Sequence, residues 1–248
     1  MTDSNSLAIT VRELTKSYGS SGFTSARSTS TTSDKSAPPP ALAPLTMTID
    51  AGHLVAIIGH NGSGKTTLLR MIAGLLDPSS GNVAVHGADR GSIEARRDLS
   101  YLADQPTFYD DLSLREHLEY VARLHDVSDW ADRADMLVGR LGLVDRIDQL
   151  PTTFSRGLRQ KAAITLAFVR PFRVLLVDEP FVGLDAAGRA ALLTLFDDAH
   201  AEGSTVVVAT HDLGFVHRAN RLIALADGEV RFDGPPGNAD VNDLVLNG

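Results

Sequence analysis

The chain has no cysteine. Disulfides and thiolate metal ligands are therefore excluded, and the composition is compatible with a reducing compartment. It also has no apolar run near the roughly 18–20 residues needed to cross a bilayer. Any membrane role is expected to come through a partner. Basic charge is short: 23 Lys and Arg stand against 31 Asp and Glu, a net charge of -8. That balance argues against nucleic acid as a partner and against a broad anionic-membrane footprint. Met1 to Ser6 has neither a basic n-region nor an apolar h-region, so no signal peptide is expected there. There is no internal repeat. What remains, 248 residues of which 43% are hydrophobic, suits one large domain spanning 1–248 with a substantial core.

The most informative stretch is Gly59-His60-Asn61-Gly62-Ser63-Gly64-Lys65-Thr66. It fits the phosphate-binding pattern G-x-x-x-x-G-K-[ST]. Glycines let such a loop wrap closely, so successive backbone N–H groups can point at phosphate oxygens. Lys65 can reach β- and γ-phosphates, and the Thr66 hydroxyl can hold Mg²⁺. The context is right as well. Leu54 to Ile58 reads as a buried strand, and Thr67 to Ile72 reads as the start of a helix.

Further along, Leu7 to Val11 and Leu45 to Ile49 alternate as strands do. Between them, Gly19 to Pro44 is rich in Ser, Thr, Ala and Pro and is expected to be a disordered, low-complexity insertion. Asp77 to Gly81 is a turn signal, and a strand over Asn82 to Gly87 follows. Ser113 and Glu116 have capping-box spacing, with Leu114, Leu118, Val121 and Leu124 on one helical face behind them. Helical patterns continue to about Leu150. Val174 to Val177 and Val206 to Ala209 are continuous apolar runs, expected for parallel strands covered on both faces. A helix carrying Leu192, Leu193, Leu195 and Phe196 lies between them. Leu222 to Leu225 and Glu229 to Phe232 flank Asp227-Gly228 as a hairpin.

Two strand ends carry chemistry. Asp178-Glu179 follows the Val174 strand, where ligands of parallel sheets sit. Asp178 is placed to reach Mg²⁺ through water. Glu179 is placed to orient and deprotonate a water for in-line attack on a γ-phosphate. His211 lies just past the Val206 strand and is expected to contact the same phosphate. The other histidines (His53, His60, His86, His117, His125, His200, His217) have no metal-ligand spacing and read as surface or loop groups.

In this order the motifs resemble the nucleotide-binding domain of ATP-binding-cassette (ABC) ATPases, over about Leu7 to Phe232. Phe154-Ser155-Arg156-Gly157-Leu158-Arg159-Gln160-Lys161 stands where that family has its Leu-Ser-Gly-Gly-Gln signature. Ser155 and Gly157 match; Phe154, Arg156 and Leu158 depart. Gly183-Leu184-Asp185 is similar to the family's dimer-contact loop, and Tyr18 to the aromatic that stacks on adenine. The family's Mg²⁺-contacting glutamine is represented by Gln105 or, on gap-free alignment, by Asp104. The signature variant is weakly similar to the export-type branch, including haem exporters.

The resemblance implies an α/β fold: a P-loop NTPase core with a mostly parallel sheet, a peripheral antiparallel β-sheet, and an inserted helical lobe over about 100–165. It implies ATP and Mg²⁺ as cofactors. The nucleotide set would be Tyr18, Gly59, His60, Asn61, Gly62, Ser63, Gly64, Lys65, Thr66, Thr67, Gln105, Ser155, Gly157 and Asp185. The metal set would be Thr66, Asp178 and Gln105 (or Asp104). Lys65, Glu179 and His211 would be catalytic. Two subunits, identical or not, would close head-to-tail over ATP. An integral-membrane permease would dock around Tyr109 to Glu119, holding the chain at the cytoplasmic face of the membrane. A soluble non-transport relative, as in iron–sulfur cluster assembly, and an idle nucleotide-binding regulator are the alternatives.

Overall fold

The computed structural model describes residues 6–18, 40–241 and 244. In chain order the strands are β1 (Leu7–Lys16), β2 (Leu42–Asp50), β3 (Leu54–Ile58), β4 (Ser80–Val85), β5 (Ala88–Asp89), β6 (Leu99–Leu102), β7 (Val174–Asp178), β8 (Thr205–Ala209), β9 (Arg221–Ala226) and β10 (Glu229–Gly234). The helices are α1 (Lys65–Ile72), α2 (Ile93–Asp98), α3 (Leu114–Leu124), α4 (Trp130–Leu141), α5 (Arg156–Phe168), α6 (Ala186–Ala201) and α7 (Leu213–Val216).

Six strands form the central sheet in the order β10-β9-β3-β8-β7-β6. It is parallel from β9 to β6, with β10 antiparallel at one edge. The second sheet, β2-β1-β4-β5, is antiparallel. The period-2 alternation of strand side chains divides the interior into two cores. Leu54, Ala56 and Ile58 of β3 face the core shared with α3 to α6. Val55 and Ile57 face the core shared with α1 and the antiparallel sheet. Strands covered on both faces must be apolar throughout, which is why β3, β7 and β8 read as unbroken hydrophobic runs.

The helical lobe lies between β6 and β7. The α3 capping box forms, with the Ser113 N–H donating to Glu116 at 2.7 Å and the Glu116 N–H donating to the Ser113 hydroxyl. Four expectations need correction. The insertion expected over 19–44 ends earlier, because Leu42 is fully buried and opens β2 opposite Lys16. The alternation from Leu45 to Ile49 is as expected, but the strand's start at Leu42 was hidden by neighbouring prolines; residues 19–39 lie outside the described residues. The lobe begins after Leu102 rather than near residue 100, since Leu99 to Leu102 pair with β7. Leu124 shares the spacing of Leu114 and Leu118 but is 62% exposed and stands outside the core they enter. His117 is neither a surface nor a loop group. It is 4% exposed on α3, accepts the Tyr109 N–H on Nε2 at 2.9 Å, and meets the Phe108 ring edge-on.

Candidate functional site

Strand register assembles the site. Ile57 of β3 lies level with Ala209 of β8, and Ala209 lies level with Asp178 of β7. The phosphate loop after β3, the Asp178-Glu179 pair and Thr210-His211 therefore leave the sheet side by side at the carboxyl ends of these strands. Leu102 of β6 pairs with Val177, so the chain emerges there too, with Asp104 two residues on.

The loop is held from three sides. Gly59 has φ +147, and a Cβ there would stand 2.0 Å from the Leu225 carbonyl oxygen of β9. Gly64 (φ +104) precedes Lys65, and its missing Cβ admits the Ala41 carbonyl at 2.8 Å. The Gly228 N–H, in the β9–β10 turn, donates to the Ser63 carbonyl at 3.1 Å. Only glycine tolerates both the backbone angle and the approach at Gly59 and Gly64. Lys65 is buried, with Nζ donating to the Gly59 carbonyl at 2.6 Å and lying 3.4 Å from His211 Nε2. Burial lowers its pKa, and the charges of Glu179 and Asp178 pull it back up.

Glu179 sits at φ +45, an uncommon conformation for a non-glycine residue and one that recurs at functional sites. Its N–H donates to the Ala209 carbonyl at 2.9 Å, so sheet pairing holds the residue in that conformation. Its Oε1 lies 3.1 Å from His211 Nε2. Burial pushes the Glu179 carboxyl up to about 7, against the pull of Lys65. Burial and then Lys65 lower the His211 pKa. Both shifts disfavour the charged forms, which weakens this contact as an ion pair.

Asp178 is 1% exposed, and neither carboxylate oxygen has a hydrogen-bond donor. The Ser63 hydroxyl beside the loop is also buried and unpartnered. Burial raises the Asp178 pKa, and the Thr66 hydroxyl, close by but outside hydrogen-bonding geometry, lowers it. A buried carboxylate beside the Thr66 hydroxyl fits a divalent cation held jointly with phosphate oxygens. The negative charge of Asp104 reaches Asp178, Glu179 and the Tyr101 hydroxyl. Gln105 lines a cavity of about 470 Å³ with Asp104, Arg156 and Arg159. Asp104 therefore bears directly on the two carboxylates.

The remaining expected residues divide. His60 is anchored by Asp227 (Nε2 to Oδ1, 3.6 Å), a contact that sequence spacing could not show. Asn61 and Gly62 are exposed at the loop tip, and Thr67 is half-buried on α1. Tyr18 is 59% exposed, with the Lys16 ammonium 5.3 Å from its ring centroid. Ser155 N-caps α5, accepting the Leu158 N–H at 3.4 Å. Gly157 packs on Gly183, where an added Cβ would stand 2.5 Å from the carbonyl oxygen. Asp185 N-caps α6 through the Gly188 N–H at 2.7 Å and pairs with Lys161 at 3.0 Å. Its carboxylate is thus committed locally. Sequence reasoning missed the Arg189–Asp212 pair behind His211, for which no motif signals.

The ABC transporter family model matches residues 42–182. The ABC-type transporter ATP-binding protein EcsA of Bacillus subtilis is 34% identical over 200 residues, 79% of this chain and 81% of its own. The macrolide export ATP-binding/permease protein MacB of Rhodopseudomonas palustris is 34% identical over 204 residues. That match spans 78% of this chain but only 31% of MacB. An ATP-binding subunit of an ABC transporter superposes with a TM-score of 0.82 at 28% identity, covering 97% of this chain and 98% of its own. A dimeric ATP-binding cassette in a post-hydrolysis state, bound to ADP and Pi, superposes with a TM-score of 0.78 at 25% identity, over 92% and 98%.

Proposed function

The chain belongs to the ABC transporter family, and from that premise we propose that it hydrolyses ATP to drive a membrane exporter through closure and reopening of an ATPase dimer. One observation carries the reading: β3, β7 and β8 end level, bringing Lys65, Asp178, Glu179 and His211 together at their carboxyl ends. The family and a relative caught with ADP and Pi support ATP as the substrate.

Loop N–H groups and Lys65 hold the β- and γ-phosphates. Glu179 takes a proton from the attacking water, and a pKa near 7 suits a base at neutral pH. His211, 3.1 Å from Glu179 Oε1, contacts the γ-phosphate and keeps that carboxylate aimed. Thr66 and Asp178, with Asp104 or Gln105, would hold Mg²⁺, which would supply charge neutralisation at the phosphates. Ser155 and Gly157 meet the γ-phosphate bound by the second subunit, and Tyr18 covers the adenine.

Among the described residues no helix is long and apolar enough to cross a membrane. The permease is therefore a separate polypeptide or a region beyond this sequence. It docks beside the helical lobe, where Ile93 and Leu124 are 68% and 62% exposed at a cavity of about 640 Å³. Arg96 and Arg97 line the same cavity, which fits a cytoplasmic segment carrying carboxylates. Tyr109, ahead of α3, and Tyr120 on it are also exposed and meet edge to face. The relative named for macrolide export supports the outward direction.

The test is capture of tagged Glu179→Gln protein from detergent-solubilised source cells with ATP. Recovery of a multi-span membrane protein is expected, and its loss on Arg96→Glu/Arg97→Glu would locate the contact. Only soluble partners, with the chain absent from membranes, would turn the reading toward a non-transport ATPase.

A further inference from the structure

His211 has no regular strand or long helix of its own to hold it. It follows β8, one residue beyond Thr210, whose N–H donates to the Ile57 carbonyl at 3.0 Å. It precedes α7, which is a single turn. Its position against Glu179 and Lys65 therefore depends on Asp212. That residue is fixed from several directions. Its N–H donates to the Thr210 hydroxyl at 3.0 Å, and its Oδ1 caps the Phe215 N–H at 2.9 Å. Arg189 of α6 closes the set with a two-pronged contact: Nη2 to Asp212 Oδ1 at 2.7 Å, and Nη1 to Oδ2.

The guanidinium is itself prevented from wandering. It lies 4.9 Å from the centroid of the Phe181 ring, and Gly214 leaves room for Nη2, since a Cβ there would stand 3.2 Å away. A planar fork matched to a carboxylate fixes orientation as well as distance, which a point charge does not.

The helix bearing Arg189 also carries the partner-facing loop. Asp185 caps α6 one turn earlier and pairs with Lys161 of α5. At its start α5 holds Ser155 and Gly157, and Gly157 rests on the Gly183 carbonyl. Two ion pairs on one helical turn thus connect the signature helix to the histidine at the hydrolytic edge.

We infer that Arg189 is a positioning residue for hydrolysis, setting His211 through its fork on Asp212 and tying that histidine to the first turn of α6. This rests on the ATPase reading for its kinetic consequence but not for its structural one.

The experiment compares Arg189→Ala and Arg189→Lys with wild type. Three quantities are read: kcat and KM for ATP, equilibrium binding of a fluorescent ATP analogue, and amide hydrogen exchange over 209–217 without nucleotide. A misplaced histidine should lower kcat about tenfold to a hundredfold. Analogue affinity should stay within about threefold, since Arg189 touches neither the phosphate loop nor any group proposed to bind adenine. Exchange over 209–217 should quicken in Arg189→Ala. The lysine variant keeps the charge and one bond, so both kcat and exchange should recover in part. Wild-type kcat in Arg189→Ala, or a fall in kcat matched by lost affinity in both variants, overturns the inference. Should the wild-type protein fail to hydrolyse ATP, the ATPase reading falls, and unchanged exchange in Arg189→Ala would then overturn the tie on its own.

Discussion

Glu179 concentrates the chemistry at the residue scale. Its carboxyl is pushed up to about 7 by burial, so the folded chain holds that proton more tightly than the unfolded chain does. The resulting stabilisation is full below the ordinary carboxyl value and is lost as pH rises through about 7. Glu179→Gln cannot ionise. Without nucleotide it should therefore match wild type in denaturant unfolding near pH 4 and exceed it by roughly 3 kcal/mol at pH 8. Equal unfolding free energies at pH 8 would show that Glu179 is well solvated. The same shift predicts an acid limb in wild-type kcat/KM near pH 7, since that ratio reports the free enzyme's base. The placement of Lys65 and Glu179 at strand ends was legible from the sequence, because a strand-end carboxylate pair and a glycine loop have recognisable neighbours. The choice between Asp104 and Gln105 was not. It depends on how far past β6 the chain runs before it turns.

The contact between α5 and the Gly183 loop dominates at the element scale. Gly157 matches a family motif, but its immediate constraint is steric: any Cβ would press into the Gly183 carbonyl at 2.5 Å. Gly157→Ala must move α5 or the loop, an overpacking cost of about 1–3 kcal/mol. Ser155→Ala removes only an N-cap, about 0.5–2 kcal/mol. Denaturant unfolding of both variants checks this, and a Gly157→Ala protein as stable as wild type would show that the junction is pliable. The α3 capping box, the Asp227-Gly228 hairpin and the all-apolar parallel strands were readable because each is written in neighbouring residues. The start of β2 was hidden by proline-rich neighbours. The single pairing edge of β6 was hidden by its short length, four residues with one buried serine.

For the whole molecule, the decisive question is whether a second copy completes the proposed site, because Ser155 and Gly157 begin α5 and are not part of the phosphate loop. Glu179→Gln should cut turnover on the order of 10²–10⁴-fold while binding still occurs. ATP should then convert the protein from monomer to dimer in sedimentation, and Lys65→Ala should abolish the shift by weakening ATP binding. A Glu179→Gln protein that binds ATP yet stays monomeric would remove the homodimer from the mechanism.

The sequence by itself determined the phosphate loop, the acidic strand end, the α/β class and the absence of cysteine chemistry. Each depends on residue type at short spacing, where backbone geometry and side-chain chemistry are local. Tertiary structure alone decided that three strands end level, that Gly59 lies under Leu225, and that Arg189 grips Asp212. These pairings join residues 23 to more than 160 positions apart. Only burial of two cores against one sheet brings such residues into contact, and no local pattern encodes which of the many distant partners will meet.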